Sequence, residues 1–119
     1  MTASSRFLAW LVFPLLALNS FNLLADTVEG APQALHLLDY ISADYPPTVA
    51  AGKVMDDSEY REQLEFTQAL QGLIANLPAK PEKAALEQGV DALRAAITAK
   101  QDGAEVARQA RQLGAKLAV

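Results

Sequence analysis

The apolar positions of this chain fall into one unbroken block followed by four spaced series. From Leu8 to Leu18 every residue is apolar except for the interruption at Pro14. Beyond Ala34 the spacing changes to three and four, the period of a helix with one buried face. Leu35, Leu38 and Ile41 predict a first helix from about Pro32 to Ala43. Tyr45-Pro46-Pro47 stops it, and Gly52 punctuates the loop that follows. A second helix is expected to open at Asp56, with Glu59 three residues on reaching back as a capping box, and to run to about Asn76. Its stripe is Tyr60, Leu64, Phe66, Leu70, Leu73, Ile74 and Leu77, and Pro78 closes it because proline cannot continue the hydrogen-bond ladder. The third starts at Pro81, a favoured first-turn residue, and carries Leu86, Val90, Leu93 and Ile97 at four-three-four spacing. The fourth opens with Asp102 and Glu105 as a second capping box and repeats that spacing in Val106, Ala110, Leu113 and Leu117.

No segment after the leading block alternates polar and apolar residues, and short connections join the last three helices, which makes them antiparallel neighbours. Each stripe is too narrow to be buried on both sides. The expected fold is therefore all-α, a small up-and-down four-helix bundle with one shared core. A homodimer of helical hairpins is the other arrangement that these stripes allow.

The leading block reads as an address. Arg6 precedes it, and its length of about eleven residues falls short of the roughly twenty that a spanning helix needs. Asn19 to Asn22 form a polar break before Leu23-Leu24-Ala25, where cleavage after Ala25 is expected. This divides the chain into a signal peptide, 1–25, and a helical domain, 26–119, located in the periplasm. With no cysteine after the cleavage point, lipidation is not available.

Composition narrows the chemistry. At 119 residues there is room for one domain, and a net charge of -4 without a basic stripe argues against nucleic acid. The absence of cysteine removes thiolate nucleophiles, zinc knuckles and C-x-x-C-H haem attachment, and one histidine remains. With no phosphate loop or nucleophile motif either, an enzyme is not expected. The charge is unevenly spread. Asp26 to Glu65 holds nine acids against Lys53 and Arg61, whereas Phe66 to Val119 is slightly basic. Such an acidic half suits a metal cation or a basic partner, or is a solvated surface.

Two clusters within it could carry chemistry. His36, Asp39 and Tyr40 have i, i+3, i+4 spacing and share the helix face opposite Leu35, Leu38 and Ile41. Imidazole, carboxylate and phenolate form an acceptable ligand set for iron, and the oxygen donors favour the ferric ion. The same face reads equally as a polar exterior with a tyrosine packed on a neighbour. Glu59, Glu62 and Glu65 form the second cluster, with Glu59 within and Glu62 at the edge of the apolar stripe. Paired inward carboxylates build di-iron bundles, but the Glu-x-x-His motifs of such sites are missing here. A cap at Glu59 and a solvated Glu62 are the other reading. Arg61-Glu62-Gln63-Leu64-Glu65 has the R-E-x-x-E form known from membrane iron permeases, but its charged flanks do not suit an intramembrane helix.

His36-Leu37-Leu38-Asp39-Tyr40-Ile41, Asp44-Tyr45-Pro46, Gly52-Lys53-Val54, Glu59-Tyr60 and Glu65-Phe66, taken together, form a signature. It resembles the extracytoplasmic N-terminal domain of the bacterial high-affinity iron permease family, over roughly Ala34 to Val119. The resemblance implies a periplasmic helical module that binds or delivers iron, or docks to a membrane iron permease or a cytochrome c domain. It matches Asp39, Tyr40, Asp44, Tyr45, Glu59 and Glu65 to the family pattern. With His36 and Glu62, read from the residues alone, these carboxylates and Tyr40 are the candidate metal ligands. The chain has neither the haem motif nor the spanning helices that follow this domain in the family, so permeation by this chain alone is not expected, and a leading fragment or split gene is expected over a stand-alone accessory protein. An interaction module without metal affinity is the alternative.

Overall fold

A computed structural model describes residues 30–118. The expected signal peptide and its cleavage site lie outside the described residues. Four helices account for most of the rest: α1 (Gly30–Asp44), α2 (Asp57–Ala75), α3 (Pro81–Thr98) and α4 (Gly103–Ala118). Each packs on two others, α1 on α2 and α4 and α3 on α2 and α4, which closes an up-and-down ring around one core within a single chain.

The core follows the spaced series closely on three helices. Buried residues are Ala34, Leu38 and Ile41 on α1, Leu86, Val90, Leu93 and Ile97 on α3, and Val106, Ala110 and Leu113 on α4. Each fully buried aliphatic side chain contributes roughly 1.5–3 kcal/mol. On α2 the buried line is rotated from the apolar stripe. Gln63, Thr67, Leu70 and Ile74 face inward, while Tyr60, Leu64, Phe66 and Leu73 are only partly buried against the core. The Thr67 hydroxyl donates to the Leu64 carbonyl at 2.7 Å. Neither amide atom of the fully buried Gln63 has a hydrogen-bond partner among the described residues.

The helix ends show why the boundaries fall where they do. Asp56 caps α2 by accepting from the Glu59 amide at 3.0 Å. Pro81 stands in the first turn of α3. That helix ends in a Schellman motif: Gln101 N–H donates to Ala96 O and Lys100 N–H to Ile97 O, both at 3.0 Å, with Lys100 in the left-handed region at φ 55°. The second capping box expected at α4 is not built through Glu105. Its carboxylate accepts instead from Arg108 Nε at 2.9 Å and Gln109 Nε2 at 3.1 Å. These bonds, Arg108 first, hold the carboxyl down at about 2.

The segment between α1 and α2 is more ordered than a plain loop. A 3-10 turn, Pro46–Thr48, leads into a two-stranded antiparallel ribbon, β1 (Val49–Ala50) and β2 (Lys53–Val54), in which Val49 faces Val54. Ala51 and Gly52 have φ of 52° and 76°, the two left-handed residues that a tight hairpin of matching twist requires. Strands of two residues carry no readable alternation, so the apolar pattern gave no sign of them.

Candidate functional site

The ribbon folds the end of α1 back beside the start of α2. Asp44, the last residue of α1, lines a shallow depression of about 290 Å³ together with Pro47, Thr48, Asp56 and Glu59. Glu62 lies near enough to Glu59 to be the main cause that raises the Glu59 carboxyl above its usual range, followed by burial, Asp56 and Asp44. Four carboxylates therefore share one end of the bundle. Among the described residues the one ion pair is Arg108 with Glu105, so none of the four has an ion-pair partner there. Their helix ends differ. The positive end of the α2 dipole supports Asp56 and Glu59, whereas Asp44 adds its charge to the negative end of α1, where a cation is favoured.

The seven candidate ligands separate. Asp44, Glu59 and Glu62 meet at this acidic end. His36 and Tyr40 line a different feature, an open groove of about 620 Å³ between α1 and α2 with Leu37, Leu73 and Asn76. Asp39 and Glu65 are exposed and line neither. Tyr40 is 50% exposed and its ring lies 5.9 Å from that of Phe66 at 38°, a tilted aromatic pair. Glu62 is exposed, which corrects the inward lean expected of it, whereas Glu59 is half-buried. The rotated line of α2 puts Gln63 inward in place of Glu62. Among the described residues no group of three or more His, Asp or Glu side chains is placed to hold one metal ion.

In the sequence Asp56 has only the marks of a cap, yet it belongs to the acidic group. The hairpin that brings Asp44 beside it is the signal that was not legible. The tyrosines of the signature have another task. Tyr45 is fully buried and its hydroxyl donates to the Gln101 carbonyl at 2.8 Å. Tyr60 donates to the Ile97 carbonyl at 2.8 Å. Both reach the turn between α3 and α4, and burial is the main cause that pushes the Tyr45 phenol up to about 12. Gly103 sits against this anchor, since a Cβ there would lie 2.6 Å from Pro46 Cα. The Asp-Tyr-Pro and Glu-Tyr elements thus tie the acidic end to the far side of the bundle.

The family model for the iron permease-associated 4-helix bundle domain matches residues 23–119. The chain belongs to that family. No curated protein and no solved structure matches it. Membership agrees with the resemblance carried by the signature and with the observed ring of four helices. An iron permease-associated domain is a transport component, and no described helix of this one is long and apolar enough to cross a membrane.

Proposed function

We propose that this domain is the extracytoplasmic accessory module of an iron permease, and that its acidic end concentrates iron cations for transfer to the permease. The observation that carries the reading is the group Asp44, Asp56, Glu59 and Glu62, without ion-pair partners among the described residues, in a chain of this family. Iron is the cargo here, held by oxygen donors in an incomplete and solvent-open shell that permits exchange. Local excess of negative charge raises the cation concentration near the surface before any ligand bond forms. In this reading residues 1–25 direct export to the periplasm, and the partner is the membrane permease or a cytochrome c domain attached to it.

One observation favours a second reading. Because no three ligand groups converge among the described residues, the acidic end also suits a basic docking surface on the partner. Calorimetric titration with ferrous and ferric iron separates the two. Binding by the wild type that falls at least tenfold in the triple variant Asp44→Asn, Glu59→Gln, Glu62→Gln supports the cargo reading. Binding unchanged in that variant, or none by the wild type, removes it and leaves docking. His36→Ala with Tyr40→Phe serves as the control for the separate groove.

A further inference from the structure

At the opposite end of the ring, where α1 and α3 begin and α2 and α4 finish, lies a half-open cavity of about 520 Å³. Its apolar lining includes Leu77, Leu86 and Leu117, and its basic lining Lys80, Lys83 and Lys116, against Glu82 as the one acid among the described lining residues. Leu86 is buried, Leu77 and Leu117 are half-buried, and Lys80 and Lys116 are exposed. Lys83 is held in place, donating from Nζ to Ala75 O at 2.7 Å and Leu77 O at 3.0 Å, which leaves one of its three N–H groups uncommitted. Neither Lys80 nor Lys116 has an ion-pair partner among the described residues.

An apolar floor rimmed by lysines is matched by a molecule with an anionic head beside hydrocarbon. A soluble phosphate would leave the leucines wet, and a neutral lipid would leave the ammonium groups unmatched. We propose that this groove seats an anionic phospholipid of the membrane surface, its phosphate against Lys80, Lys83 and Lys116 and its first acyl carbons over Leu77, Leu86 and Leu117. The charge separation along the bundle then sets an orientation. The lysine end faces the anionic lipid, and the end bearing Asp44, Asp56, Glu59 and Glu62 is repelled from it and points to solution. This surface does not depend on what the acidic end binds, so either reading can fail without the other.

The test uses the whole chain, which has no cysteine of its own. Ala85→Cys, an exposed residue lining the groove, carries an environment-sensitive fluorophore, and Ser58→Cys at the acidic end carries the same label as control. Dioctanoyl phosphatidylglycerol is titrated as monomers, alongside dioctanoyl phosphatidylcholine and glycerol phosphate. The expected result is a blue shift at position 85 alone, with phosphatidylglycerol alone, weakened at least about tenfold by Lys80→Glu with Lys116→Glu. The control Lys100→Glu leaves it unchanged. Equal response to phosphatidylcholine or glycerol phosphate, a matching shift at position 58, or full affinity in the double variant overturns the proposal. Circular dichroism checks that the double variant stays helical. If it does not, Lys80→Gln and Lys116→Gln are read singly, each expected to weaken binding about threefold, and no weakening in either overturns the proposal.

Discussion

Replacing Gln63 by Met should make the bundle more stable, although it alters a fully buried side chain. Both amide atoms lack a partner among the described residues, and the side chain is 0% exposed. Burying an unpaired amide costs roughly 1–3 kcal/mol, and Met fills nearly the same volume without that cost. A domain of this size shifts its melting temperature by about 4–8 °C per kcal/mol, so a rise of about 4–24 °C is expected. Urea and thermal unfolding followed by circular dichroism measure it, with Gln63→Leu as a second apolar replacement. Thr67→Val, one turn on, provides the contrast. Its hydroxyl is already satisfied by Leu64 O, so it should gain nothing. An unchanged or lowered urea midpoint for both Gln63 variants would refute the reasoning, because it would mean that the amide is satisfied in solution, for instance by an internal water.

Gly103→Ala should destabilise by about 1–3 kcal/mol, since its Cβ would meet Pro46 Cα at 2.6 Å. Gly72→Ala, with nothing within 4 Å and a helical position in the last turn of α2, should instead stabilise by about 0.5–1 kcal/mol, both read from urea midpoints. Tyr45 has its folded pKa raised to about 12, so the stability linked to its proton is complete below pH 10 and is lost as pH rises toward 12. Tyr45→Phe should abolish that alkaline loss, and at neutral pH cost about 1–2 kcal/mol for the Gln101 carbonyl left without its donor. The raised Glu59 carboxyl has the same sign in the carboxylate range: its ionisation weakens the fold as pH rises through its pKa. Glu59→Gln should therefore raise the melting temperature at pH 7 and lose that advantage in acid, which melts across the carboxylate range will show.

Much of this fold was legible because its core is aliphatic and regularly spaced. Leu86, Val90, Leu93 and Ile97 form the buried line of α3 just as their four-three-four interval requires. α2 was harder to read. A stripe drawn through apolar residues alone chooses Tyr60, Phe66 and Leu73, whereas burial passes through Gln63 and Thr67, two polar residues that hydropathy assigns to solvent. That rotation is also why Glu62 was expected at the edge of the core. The acidic site was half legible: Asp44, Glu59 and Glu62 were named, but their meeting depends on the Ala51-Gly52 turn. The signature tyrosines could be matched but not interpreted, because a phenol that binds a metal and one that donates to a distant carbonyl look alike in a sequence.

α1 and α4, the outer members of the chain, pack directly on one another, and the Pro46–Gly103 contact fastens the same closure. The neighbouring pairs α2–α3 and α3–α4 form across short connections and can assemble early, but the ring shuts only when segments about sixty residues apart find each other. Until it happens Leu38 and Ile41 have no cover from α4, and the chain is most open to proteases and to unwanted association during that interval.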